Sequence, residues 1–106
     1  MTPEGKVKAS VNKVLSKYKK QYTHMPVPYG YGQSTLDYLI CVNGYFLAIE
    51  TKAPGKKPTN RQKLIAEKIE SAGGVVLIID DVSATHELEA FMERATHAPS
   101  PSLIKT

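Results

Sequence analysis

Little in this chain of 106 residues is built for a membrane or for an oxidising compartment. No apolar run approaches the roughly 20 residues that span a bilayer. The N-terminus has no apolar signal core, so export is not expected. The single cysteine, Cys41, excludes an intramolecular disulfide and suits a reducing compartment; in a predicted strand it reads as a small buried hydrophobe. His24, His86 and His97 are scattered, without the spacing of a zinc site. The Gly-Tyr-Gly-Gln-Ser-Thr stretch at 30–35 lacks both the spacing and the lysine of a phosphate loop. Internal repeats are absent. What is present is a composition of 42% hydrophobic and 23% charged residues, which fits one folded domain with a modest core.

The net charge is +4, a balance that suits a polyanionic partner. Its distribution is uneven. Lys6, Lys8, Lys13, Lys17, Lys19 and Lys20 precede Asp37 against one acid, Glu4, whereas Glu87, Glu89 and Glu93 cluster near the other end. A basic front and an acidic rear favour an oriented encounter with nucleic acid; the plainer alternative is a set of solvated helix faces.

The centre of the chain carries the sharpest local signal. Asn43-Gly44 separates two apolar runs, and this dipeptide suits a two-residue hairpin turn whose residues both need positive φ. The turn sets a register in which Val42 pairs with Tyr45, Ile40 with Leu47, Leu39 with Ala48, and Asp37 with Glu50. Opposed side chains lie about 4.5–5.5 Å apart at Cβ, so two like charges there oppose sheet formation unless positive charge joins them. Lys52 shares the face of Glu50. Two carboxylates and a lysine at one spot point to a divalent-metal site for phosphodiester chemistry.

Around the hairpin the reading is as follows. Thr2 caps a first helix with Pro3 at its first position. Val7, Val11, Leu15 and Tyr18 form its apolar stripe, and Glu4 lies at the inward edge, aimed at the acid pair or favoured by the helix dipole. Residues 21–35 read as irregular, because Pro26, Pro28, Gly30 and Gly32 break any long element. Tyr22, Tyr29 and Tyr31 there either stack on bases or, the favoured reading, pack over the sheet edge; the Tyr-Gly-Tyr-Gly stretch is expected to line one wall of the site. A basic loop at 53–58 leads to a capping box, with Thr59 as N-cap and Gln62 three residues on. The second helix ends at Gly73-Gly74. Val75-Val76-Leu77-Ile78-Ile79 reads as a strand buried on both faces, parallel to 45–52 through a right-handed crossover. Ser83 caps a third helix bearing Leu88, Phe91 and Met92, and the chain after Ala95 reads as loose. The expected architecture is α/β: a small mixed β-sheet, made of a hairpin plus a parallel strand reached by a βαβ crossover, flanked by helices.

Phosphodiester hydrolysis needs an activated water, neutralisation of the transition-state charge and help for the leaving oxygen. Mg²⁺ serves all three and takes oxygen ligands. Asp37 and Glu50 supply such oxygens, with the main-chain carbonyl of Thr51 as a third and Glu4 for a second metal or an outer water. Lys52 brings fixed positive charge to the scissile phosphate or orients the water. Lys56, Lys57, Arg61 and Lys63 ring the start of the second helix and would grip DNA phosphates, reading shape more than sequence.

Asp37 followed by Glu50-Thr51-Lys52 resembles the D…(D/E)xK motif of the PD-(D/E)xK nuclease superfamily. Glu4 in an early helix, Ala-Ile-Glu-Thr-Lys at 48–52, Thr-Asn-Arg-Gln at 59–62 and Gly-Gly-Val-Val-Leu-Ile-Ile-Asp at 73–80 resemble its VRR-NUC branch. The resemblance covers about residues 3–81. Leu36 departs from the proline or serine usual before the aspartate. The resemblance implies a restriction-endonuclease-like core and Mg²⁺- or Mn²⁺-dependent endonuclease activity. By residue it implies metal ligation by Glu4, Asp37 and Glu50, with catalytic roles for Lys52 and Gln62. Compact stand-alone members are viral or bacterial proteins acting as homodimers on branched DNA, including four-way (Holliday) junctions. The expectation is thus one nuclease domain over 1–96 with a flexible tail at 97–106. It would work in the cytoplasm of a bacterium or phage-infected host and dimerise through apolar hairpin residues such as Tyr38, Tyr45 or Leu47, unless these belong to the core. Flap cleavage, nicking, or DNA binding without catalysis are the alternatives.

Overall fold

The computed structural model describes residues 1–27 and 35–101. In chain order they form α1 (Pro3–Leu15), β1 (Gln21–His24), β2 (Tyr38–Val42), β3 (Tyr45–Thr51), α2 (Asn60–Ser71), β4 (Val75–Ile79), a 3-10 turn at Val82–Thr85, and α3 (His86–His97). The four strands make one mixed sheet in the order β1-β2-β3-β4. β1 and β3 run antiparallel to β2, and β4 runs parallel to β3. No described helix is long and apolar enough to cross a membrane.

The hairpin forms as its turn requires. Asn43 and Gly44 take φ of 51° and 83°, and the register is the one set by a two-residue turn: Val42 faces Tyr45, Ile40 faces Leu47, Leu39 faces Ala48. Alternation then sends Tyr38, Ile40, Val42, Leu47 and Ile49 to one face, where they are buried with Val7, Val11, Val14 and Leu15 of α1 and Leu88, Met92 and Ala95 of α3. Thr2 caps α1 by accepting the Gly5 N–H at 3.0 Å. Tyr18 follows α1 and donates to Glu93 at 3.0 Å, and Lys17 pairs with Glu89 at 2.8 Å. Burial and the Glu93 carboxylate push the Tyr18 phenol up to about 12, so it remains a donor at any ordinary pH. The basic front and acidic rear of the sequence therefore partly neutralise each other across the α1–α3 contact.

Several sequence expectations change. Residues 21–24 are a strand rather than an irregular segment; Tyr-Thr favours extended backbone, and four residues are enough to pair at a sheet edge. Tyr22, expected to pack, is 69% exposed on that strand, while the Tyr-Gly-Tyr-Gly stretch at 29–32 lies outside the described residues. Cys41 is exposed, because it alternates away from the buried face of β2. β4 is an edge strand, and Val75 on one face and Ile78 on the other are partly open rather than buried. Tyr38 and Leu47 are core residues, and Tyr45 is half-buried with its hydroxyl on the Pro99 carbonyl at 2.6 Å, so none offers an exposed apolar contact for a dimer.

The described residues just beyond Ala95 are also held. α3 continues to His97, and Asn43 Nδ2 donates to the carbonyls of Ala95 and Ala98 at 2.8 and 2.7 Å. One turn side chain thus closes the β2–β3 hairpin and terminates α3. At the other helix end, Gly73 has φ of +95°, and a Cβ on Gly74 would lie 2.7 Å from Ile69 Cγ2 and 3.0 Å from Phe46, so both glycines are required where α2 turns into β4.

Burial sets the energetic contrast between the two faces. Leu47→Ala should destabilise the fold by about 2–5 kcal/mol in urea denaturation, whereas Leu64→Ala on the outer side of α2 should change stability by less than about 0.5 kcal/mol. Equal losses for the two would contradict this assignment of the core.

Candidate active site

The hairpin register places Asp37 one step before β2, opposite Glu50 of β3, and the two side chains stitch the strand ends together. The Asp37 N–H donates to Glu50 Oε1 at 3.2 Å. In return Asp37 Oδ2 accepts the Thr51 N–H at 3.0 Å and the Thr51 hydroxyl at 2.6 Å. Each carboxylate therefore satisfies a main-chain donor of the other strand just where the ladder gives out.

Positive charge and donors gather on both members of the pair. Lys52 continues β3 and is anchored by its N–H to the Ile79 carbonyl at 2.9 Å. Its Nζ lies 3.5 Å from Glu50 Oε2. Gln62 Nε2 donates to the same oxygen at 2.7 Å. Gln62 reaches it from the first turn of α2, where its Oε1 also accepts the Thr59 N–H and Thr59 caps the Gln62 N–H. The capping box and the contact with Glu50 are thus made by one side chain, and the box fixes its rotamer. On the other side, Lys8 Nζ stands 3.8 Å from Glu4 Oε2 and 3.9 Å from Asp37 Oδ2.

Glu50 is the most buried carboxylate described, with 4% of its side chain exposed, against 26% for Asp37. Desolvation, then the negative charge of Asp37, raise the Glu50 carboxyl above its ordinary value; Lys52 and the Asp37 N–H oppose this only in part. Burial and Asp37 likewise push the Tyr38 phenol up to about 12. That hydroxyl donates to Asn12 Oδ1 at 2.8 Å and pins α1 to the strand that carries the acid.

The structure thus brings Asp37, Glu50, Lys52, Gln62 and Thr51 into one contact network. Thr51 enters it through its N–H and hydroxyl. Glu4 joins through Lys8, with no direct contact to the acid pair described. Lys56, Lys57, Arg61 and Lys63 are exposed around the loop and the start of α2. Two participants had not been singled out from the sequence: Lys8 and the Thr51 hydroxyl. Lys8 was legible, standing four residues after Glu4 on a helix and so on the same face. The Thr51 hydroxyl carries no pattern of its own and follows only from the strand ends.

Among the described residues, no three His, Cys, Asp or Glu side chains are grouped so as to hold a metal ion. The donor set is two apposed carboxylates open to solvent on the Asp37 side. This fits Mg²⁺, which takes one or two carboxylates and keeps several waters. It does not form an all-protein cage. No protein-family model matches the chain, and no curated protein is significantly similar to it.

The raised Glu50 carboxyl gives a prediction with a definite sign. The folded protein holds that proton more tightly than the unfolded chain. Its stabilising contribution is therefore complete below the ordinary glutamate range and lost as pH rises through the raised value. The stability of the wild type minus that of Glu50→Gln, measured by urea denaturation in chelator, should fall over that rise. A difference that grows with pH would contradict the assigned cause. Gln62→Ala, which removes half of the capping box and the partner of Glu50, should cost about 1–2 kcal/mol in the same measurement.

Proposed function

We propose that this chain is a Mg²⁺- or Mn²⁺-dependent endodeoxyribonuclease that hydrolyses phosphodiester bonds in branched DNA, with four-way junctions as substrate and a homodimer as the working form. The observation that carries this reading is the apposition of Asp37 and Glu50 at the hairpin base, with Lys52 3.5 Å from Glu50 and Gln62 on the same oxygen. Lys52 and Lys8 stand beside the two acids, but neither ammonium separates the carboxylates. Two apposed acids, one of them buried and raised, are costly to keep and make sense as a seat for a cation.

The arrangement of elements supports the same reading. A hairpin, a crossover helix and a parallel strand, flanked by further helices, are what a restriction-endonuclease-like core requires, and the D…ExK residues lie on that hairpin. Asp37 and Glu50 would hold the ion. When bound, the ion supplies Lewis-acid charge at the phosphoryl oxygens and lowers the pKa of a bound water. Lys52, with 15% of its side chain exposed, presents an ammonium beside the acid pair. There it balances the charge of an entering phosphate or orients the attacking water. Gln62 holds Glu50 in one orientation, so that Glu50 Oε2 keeps its place when the ion enters. Lys56, Lys57, Arg61 and Lys63 form an exposed basic rim for phosphates on either side of the cut. A dimer would place two such sites across a junction with two-fold pseudo-symmetry and permit paired nicks.

The deciding experiment incubates the protein with Mg²⁺ or Mn²⁺ and end-labelled linear duplex, flap and four-way-junction DNA. The wild type should cut the junction in preference to linear duplex. Asp37→Ala and Lys52→Ala should each lose about 10²-fold or more in rate while still binding junction DNA. Cleavage favouring flaps would move the substrate and keep the chemistry. Absence of cleavage by the wild type with either metal would refute the nuclease reading and leave a DNA-binding module. Binding should also weaken steeply with salt, as counterions return to the phosphates, and sequence changes in the junction arms should matter little; a flat salt dependence would argue against a phosphate-led interface.

A further inference from the structure

The acid pair has two lysines, and they stand differently. Lys52 is fixed within the sheet: its main chain bonds Ile79, its side chain is largely covered, and it contacts Glu50. Lys8 is on the open side. It projects from the second turn of α1, with 37% of its side chain exposed, and its ammonium lies almost equidistant from Glu4 Oε2 and Asp37 Oδ2, at 3.8 and 3.9 Å. Both separations are ion pairs without a tight hydrogen bond, so neither acid holds the ammonium firmly. Asp37 Oδ2 already receives two donors from Thr51. Lys8 therefore adds charge to Asp37 more than it adds a needed hydrogen bond.

We infer that Lys8 is a displaceable internal cation. In the metal-free protein its ammonium offsets the charge of Asp37 and links it to Glu4. When a divalent ion enters at Asp37 and Glu50, Lys8 gives up Asp37 and keeps Glu4, its helical neighbour one turn back. Lys8 thus sets how much metal the site requires, and Glu4 acts by holding Lys8 aside. The inference rests on the nuclease reading above, because that reading is what brings a divalent ion to the acid pair.

The physical argument is competition between charges. Two unit charges about 4 Å apart near a protein surface interact by several times thermal energy, and a divalent ion meets twice that opposition. The opposition is relieved only if the ammonium moves. Its flexible stem and partial exposure allow that, and Glu4 at i−4 provides a place for it. Lys52 is not free to do the same, since its side chain is largely covered and its main chain is bonded to Ile79.

The test is calorimetric titration of Mg²⁺ and Mn²⁺ into the DNA-free protein at low ionic strength, with no activity readout. Lys8→Met and Lys8→Gln should each tighten metal binding by about tenfold, with the gain shrinking as salt is raised. Lys6→Met, a charge removal on the same helix, should change it far less. Glu4→Gln should weaken binding in the wild type, because Lys8 then has only Asp37, and should have a much smaller effect in the Lys8→Met background. The inference is overturned if both Lys8 variants bind metal no more tightly than the wild type while Asp37→Asn binds it more weakly; the nuclease reading then stands. It is equally overturned if Glu4→Gln weakens binding as much in the Lys8→Met background as alone, since Glu4 would then be a ligand. If neither metal binds the wild type or any variant, the nuclease reading fails and the inference with it.

Discussion

The site depends on holding two negative charges side by side at the end of a hairpin. Asp37 and Glu50 are opposed because the Asn43-Gly44 turn fixes the register, and a slip of one residue would send every hairpin side chain to the wrong face. The repulsion is contained by hydrogen bonds from the opposite main chain, the Thr51 hydroxyl and Gln62 of α2, and by the charge of the Lys52 and Lys8 ammonium groups. The sheet, α1 and the crossover helix all converge on the acid pair. Its environment is therefore a product of the whole fold.

That convergence links stability to function. The elements that pack the core also aim the side chains of the site. Tyr38 is buried between sheet and α1 and is bonded to Asn12, so the helix carrying Glu4 and Lys8 is registered against the strand next to Asp37. The Thr59–Gln62 capping box starts α2 and at the same time orients a donor to Glu50. The opposite end of the hairpin is secured by Asn43, which holds the end of α3. The cost of burying the Glu50 carboxylate beside Asp37 is offset only in part by Lys52 and the Asp37 N–H, and the rest is carried by the packing of the surrounding structure.

Local chemistry explains what the sequence disclosed and what it withheld. The hairpin register, the opposition of Asp37 and Glu50, the first-helix cap, the capping box and the parallel crossover follow from turn residues, caps and apolar periodicity, which act over a few residues. The β1 strand was missed because Gln-Tyr-Thr-His has weak alternation and precedes prolines, and it exists by pairing with β2. The exposure of Cys41 and Ile78 depends on how much of one sheet face α2 covers, a tertiary quantity that no local pattern states. The hold on Ala98 and Pro99 comes from Asn43 and Tyr45, more than 50 residues away along the chain. Lys8 illustrates the reverse case: its spacing from Glu4 was visible, but its second partner, Asp37, was not.

The central claim is that Asp37 and Glu50 together form the seat of a divalent cation. Anomalous diffraction from crystals soaked in Mn²⁺ tests it most directly. The account predicts an anomalous peak within coordination distance of carboxylate oxygens from both residues, lost in Asp37→Asn crystals treated alike. Crystals of the wild type with no peak at this pair, or with Mn²⁺ bound only elsewhere, would contradict it.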